Sequence, residues 1–159
     1  MKKVKRRKSQ PVNKKVRNAR KIAFDGIQFQ SRLELYCYKK LKEADLEFEY
    51  EPLSFELIPK FEYECSCFES YKKGTKWLFG PKSKLVRAMR YKPDFVNIED
   101  GWIIECKGHP NESFPLKWKL FKHYLMENNL KVHLYMPKNQ KHVDDCVENI
   151  LKTIYNGKK

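Results

Sequence analysis

Residues 91–108 read YKPDFVNIEDGWIIECKG, two short apolar runs suited to strands and joined at the turn-forming pair Asp100-Gly101. Successive side chains of a strand point to opposite faces, so the positions of its charged residues limit what the segment can be. In GWIIECK, Trp102, Ile104 and Cys106 share one face, while Ile103, Glu105 and Lys107 share the other. In PDFVNI, Asp94, Val96 and Ile98 share a face. A two-residue type I′ turn at Asp100-Gly101 makes Glu99 the partner of Trp102. Counting outward, Asp94 then pairs with Lys107, and Glu105 lies one diagonal step from Asp94. The pattern predicts two carboxylates and an ammonium at the open end of a hairpin. A register slip of one residue separates them.

Two neighbouring carboxylates repel each other unless a cation lies between them. Hard oxygen donors suit Mg²⁺ or Mn²⁺, which keep several waters and hold phosphate oxygens in the remaining positions. A lysine beside such an ion can orient the attacking water or stabilise charge growing on the phosphate. Phosphodiester hydrolysis is the chemistry this trio fits. The same residues also fit a cross-strand Asp94–Lys107 ion pair at a sheet margin, with Glu105 exposed. Strand parity does not choose between them.

The net charge of +14 is concentrated at one end. Residues 1–21 hold eleven of the 34 Lys/Arg and no acid, which leaves 23 basic against 20 acidic side chains elsewhere, a balance of +3. This reads as a basic arm that binds phosphates without regard to sequence, through residues such as Lys5, Arg6, Arg7, Arg17 and Arg20. A solubility tail or a nuclear address fits the same composition. Residues 22–159 read as one domain, with residues 60–90 as an inserted hairpin or loop. Between Tyr71 and Pro93 there are eight Lys/Arg and no acid, and Arg87, Arg90 and Lys92 lie in the part that approaches Asp94. Five cysteines without a C-x-x-C pair argue for reduced thiols rather than zinc or disulfides. No apolar run approaches the ~18 residues of a membrane span, and no apolar signal segment follows the basic start. The expectation is a soluble, cytoplasmic protein with no membrane partner and no small-molecule cofactor.

Hydrophobic periodicity places the elements. Ser31 and Glu34 form a capping box ahead of Leu33, Cys37, Leu41 and Ala44, which predicts a helix over 31–44. LEFEYEPLSFELIP alternates like a half-buried strand broken at Pro52, FPLKWKLFKHYLMENN reads as a helix, and LKVHLYMP as a strand. A closing helix over 139–155 sets Val143, Val147, Ile150, Leu151 and Ile154 on one face. Helices interleaved with strands predict an α/β fold with a mixed sheet covered by helices. Lys117 and Lys119 lie on the helix after GWIIECK, where phosphate contact and a plain solvated face fit about equally.

Pro93-Asp94 with Glu105-x-Lys107 resembles the PD-(D/E)XK nuclease signature. FDGIQFQSRLE, YKPDF, IIECKG and LKWKLFKHY look like a phage family of such proteins, similar in pattern to phage endonuclease I, a Holliday-junction resolvase, and more distantly to TnsA-type transposon-end nucleases. The likeness runs from about Phe24 to about Leu134. It implies a restriction-endonuclease-like αβββαβα core with a mixed central sheet flanked by helices. It implies Mg²⁺ or Mn²⁺ held by Asp94, Glu105 and the main-chain carbonyl of Cys106, with Lys107 as the catalytic lysine and Glu34 as the acid the first helix adds to the metal site. Glu34 is also where a capping box requires a Glu. The expected activity is metal-dependent cutting of branched or structured DNA by a phage-encoded homodimer. A nicking or end-cleaving nuclease working with a partner, and a non-catalytic basic binder, are the alternatives.

Overall fold

The computed structural model describes residues 21–52, 54–108 and 111–157. Lys5, Arg6, Arg7, Arg17 and Arg20 lie outside the described residues. The chain enters through a tight hairpin, β1 (Ile22–Phe24) and β2 (Ile27–Phe29), closed by Asp25 and Gly26 at φ 54° and 71°. Positive φ at both central residues is the requirement of a type I′ turn.

Helix α1 (Arg32–Glu43) starts at Ser31, whose hydroxyl oxygen accepts from the Glu34 N–H at 3.2 Å. Its inner face buries Cys37, Tyr38 and Leu41. After β3 (Glu49–Tyr50) the chain leaves the body as a two-stranded ribbon. The outgoing arm is β4 (Phe55–Ile58), β5 (Phe61–Glu62) and β6 (Phe68–Lys73). The returning arm is β7 (Lys76–Pro81), β8 (Leu85–Val86) and β9 (Met89–Tyr91), and the pairs are β6·β7, β5·β8 and β4·β9, all antiparallel. Hydrogen bonds from Tyr63 N to Lys84 O (2.8 Å) and Lys82 N to Cys67 O (2.9 Å) link the three ladders into one ribbon.

The return arm runs directly into β10 (Phe95–Asn97) and β11 (Trp102–Ile104), followed by α2 (Phe114–Glu127), β12 (His133–Tyr135) and α3 (Gln140–Gly157). The central sheet is mixed and ordered β12-β11-β10-β3, with β11 and β12 parallel and the other pairs antiparallel. A parallel pair needs a crossover, and α2 supplies it. Helices cover both faces. Phe95, Trp102, Ile104 and Cys106 pack in a core with Phe29, Cys37 and Leu41 from the α1 side and with Val143, Val147 and Ile150 of α3. Val96 and Ile103 pack on the other face with Phe55, Tyr91, Phe114, Phe121 and Leu125.

The β10–β11 register corrects the expected one. Asn97, not Glu99, pairs with Trp102, and Phe95 and Val96 pair with Ile104 and Ile103. The loop is therefore Ile98–Gly101, in which Gly101 alone has positive φ (74°), so a type I′ turn cannot form. Asn97 is the cause. Its Oδ1 accepts from Asp100 N–H and its Nδ2 donates to Asp100 Oδ2, both at 2.8 Å, while the same Nδ2 reaches Glu47 O at 2.8 Å. These bonds close a four-residue loop. The shift is two residues, so side-chain parity survives.

Candidate active site at the end of the central sheet

Counting on from Phe95↔Ile104, Asp94 lies opposite Glu105, and Lys107 is the diagonal neighbour. The two carboxylates thus face each other across the strands, where the expected register had placed Asp94 against Lys107. The main chain locks this corner: Cys106 N–H donates to Asp94 Oδ2 at 2.7 Å, and Glu51 N–H donates to the Asp94 carbonyl at 2.7 Å. From the β12 side, Glu105 N–H reaches Tyr135 O at 2.9 Å and Lys107 N–H reaches Pro137 O at 3.0 Å. The charged trio is held by backbone on both sides.

Glu105 is buried, and Lys107 Nζ donates to its Oε1 at 2.8 Å. That ammonium also sits 4.6 Å from the centre of the Phe114 ring, a favourable cation–π position. The other carboxylate oxygen, Glu105 Oε2, is buried with no hydrogen-bond partner, as is the hydroxyl of Tyr91. A buried carboxylate oxygen without a close donor costs free energy; the Tyr91 hydroxyl is near enough to pull the Glu105 carboxyl down, so an ion here would share that oxygen with it. Burial above all, then the charges of Glu105 and Glu34, push the Asp94 carboxyl well above the usual carboxylate range, against a smaller opposing pull from the Cys106 N–H and Lys107. Burial also raises Glu105, partly offset by Lys107 and by the Tyr91 hydroxyl. Burial and then the Glu105 charge hold the Tyr91 hydroxyl protonated. Nothing in the sequence reading singled out Tyr91. Its signal was a phenol three residues before Asp94 at the foot of a strand.

Glu34 approaches the same end of the sheet from the α1 face. Its Oε2 accepts from Gln30 N–H and from the Tyr50 hydroxyl, each at 2.8 Å, and its Oε1 accepts from the Ser31 hydroxyl at 2.7 Å. The capping role is realised with one change, the carboxylate reaching Gln30 N–H rather than Ser31 N–H, and the Glu34 charge still bears on Asp94. No group of three or more His, Cys, Asp or Glu side chains that could hold a metal ion occurs among the described residues. An ion at this corner would draw on Asp94 and Glu105 with the Cys106 carbonyl. Mg²⁺ commonly binds through one or two carboxylates and completes its shell with water and phosphate oxygens. The all-oxygen donor set fits such an ion.

The basic candidates divide. Arg90 donates through Nε (3.0 Å) and Nη2 (2.8 Å) to Glu56 Oε2, and Lys92 pairs with Glu51 at 2.8 Å. Arg87 is exposed. Lys119, with Lys107, Lys122 and Lys138, rims a depression of about 290 Å³ floored by Phe114, Pro115, Trp118 and Met136. Lys117 is half-buried on the same helix and is not among the lining residues. Lys138 and the apolar floor were not foreseen, because they come together only when α2 packs beside the end of β12. Trp118 packs in this cluster, stacked on Phe114 at 5.8 Å and 20°. Of the five cysteines, all free, Cys37, Cys106 and Cys146 are buried and Cys65 is exposed. No helix among the described residues is long and apolar enough to cross a membrane.

The fold and this corner define a mixed α/β protein with a paired-carboxylate site at a sheet end. The chain belongs to the family described as "Protein of unknown function (DUF1064)", which matches residues 14–141. No curated protein and no solved structure matches it.

Proposed function

We propose that this chain is a divalent-metal-dependent DNA endonuclease of the PD-(D/E)XK kind, built on a restriction-endonuclease-like core and acting on branched or otherwise structured DNA. The observation that carries the reading is the pairing of Asp94 with Glu105 across β10 and β11, with Glu105 buried and the Lys107 ammonium 2.8 Å from it. Two acids whose carboxyls are held above their ordinary range are costly to keep in a fold. Such an arrangement is common at catalytic sites.

In this reading Asp94, Glu105 and the Cys106 carbonyl hold Mg²⁺ or Mn²⁺. When bound, the ion lowers the pKa of a coordinated water and draws charge from a phosphate oxygen. Lys107 is fixed by Glu105 and by the Phe114 ring, and it keeps further N–H donors for the phosphate or the attacking water. Tyr91 stays protonated and offers a hydroxyl beside Glu105. The Lys119, Lys122 and Lys138 ammonium groups neutralise flanking phosphates, with a strong dependence on salt. Glu34 orders the start of α1 and adds negative potential at the corner.

The competing reading is a non-catalytic basic binder, favoured by the Lys107–Glu105 ion pair, which gives the hairpin acid a structural partner. A four-way junction, a fork, a linear duplex and single strands, each incubated with Mg²⁺, Mn²⁺ or EDTA, separate the two. Cutting is expected with metal only, and Asp94→Ala and Lys107→Ala should each lower its rate about a hundredfold or more while binding in EDTA persists. Binding without cutting of any substrate under either metal would leave the binder standing alone.

A further inference from the structure

The ribbon presents a surface that the body does not use. Directly opposed residues of an antiparallel pair share a face, and the β6–β7 register opposes Phe68 to Pro81, Ser70 to Phe79 and Lys72 to Trp77. Phe68, Phe79 and Trp77 therefore form an aromatic stripe on one face, with Lys72 at its outer end. Their exposures are 57%, 73% and 71%, and the Phe68 and Phe79 rings stack at 6.1 Å and 26°. The tip is a two-residue Gly74-Thr75 turn with Gly74 at φ 63°. A two-stranded hairpin with no third layer is at best marginally stable in water, and rings left in solvent add to folding only what their cross-strand stacking gives. Exposed contiguous apolar area of this kind marks a binding face.

Charge narrows the occupant. From Tyr71 to Pro93 the chain carries Lys and Arg but no acid, and Lys73 and Lys76 flank the tip on the opposite face. A second copy seated on this stripe gains no opposite charge from it, because Lys72 is the charged residue on that face of β6 and β7. A nucleic acid offers flat π-faces for the rings and phosphates for the ammonium groups, the pairing that single-strand and end-binding surfaces use. Inside a continuous duplex every base face is covered by its neighbours. Base faces open only at an end, a nick or a branch point.

We infer that the Phe68–Phe79–Trp77 face is a stacking wedge for the bases exposed at a branch point of DNA. The inference rests on the reading of DNA as ligand, and it is independent of the chemistry at Asp94. The wedge and the carboxylates lie on one continuous arm, since β9 leads through Lys92 and Pro93 into Asp94. Where the wedge seats then helps decide which phosphate reaches the corner.

The test compares the full chain with a Trp77→Ala/Phe79→Ala variant, whose melting should match the parent because both side chains are exposed. Binding is measured by anisotropy in EDTA at fixed salt, on a four-way junction and on a duplex of equal length closed by hairpins at both ends. A 2-aminopurine at the branch point reports stacking. The parent should prefer the junction, and the variant should lose roughly tenfold or more of junction affinity, together with the 2-aminopurine response. Its affinity for the closed duplex should change less than about twofold, by the same stacking argument. A retained junction preference overturns the inference, as does an equal loss on both substrates. So does a parent dimer, seen by sedimentation, that the variant converts to monomer. No cutting is read in EDTA, so failure of the nuclease reading leaves this result standing. A variant that cuts and prefers junctions as the parent does removes only the wedge.

Discussion

The body and the ribbon use aromatic residues in opposite ways. In the body Phe121 is fully buried, with Phe55, Tyr91 and Trp118 rings at 5.1, 4.6 and 5.9 Å. In the ribbon Phe79 has one ring neighbour and is mostly solvated. The same residue type thus supplies packing in one place and an unused face in the other. Stability resides in the helix-covered sheet, which also holds Asp94 and Glu105 against their mutual repulsion. The ribbon depends on that body, anchored where Phe55 and Tyr91 of β4 and β9 enter the core.

The largest effect should come from Phe121→Ala, which removes a fully buried ring and costs about 3–5 kcal/mol, read as a lower denaturation midpoint in urea. A smaller change of opposite sign is expected at the carboxylate corner. Asp94 has its carboxyl raised, so between the ordinary value of ~3.9 and its folded value the native state binds more protons than the unfolded chain. Stability from this group is therefore lost as pH rises through that window, and the deficit is complete above the folded value. Asp94→Asn keeps an acceptor for the Cys106 N–H and removes the charge. Its melting temperature should exceed the parent's by a few degrees at pH 7–8, at about 2–4 °C per kcal/mol, with the gap closing towards pH 4. Millimolar Mg²⁺ should raise the parent and leave the variant unchanged. A variant less stable than the parent at neutral pH would remove the strain argument from the site. The smallest effect belongs to the ribbon: Phe79→Ala should fall within about 0.5 kcal/mol of the parent by denaturation. A loss near that of Phe121→Ala would mean the stripe is covered in the folded protein.

Asp94, Glu105 and Lys107 stand on one face in the sequence because strand parity is local, and a two-residue shift in register preserves it. The different partner of Asp94 has its cause elsewhere in the chain. Asp25-Gly26 makes the turn that Asp100-Gly101 was expected to make, whereas Asn97, bonded to Glu47 on the neighbouring segment, imposes a longer loop. Glu34 was legible as a cap from its spacing to Ser31. Its bond from Tyr50 was not, because that contact requires β3 to pair with β10. The lysine-rimmed depression was equally hidden, since its residues come from β11's exit, α2 and the end of β12.

Periodicity, caps and parity therefore settle the helices, the charged face of the hairpin and the basic stretch of residues 71–93. Each follows from residues a few positions apart, so local backbone geometry is enough to read it. Tertiary structure alone decides which carboxylate opposes which, which ammonium groups already have partners, and which aromatic rings stay in water. These outcomes depend on distant segments meeting, and only packing and hydrogen bonding across the whole sheet set that geometry.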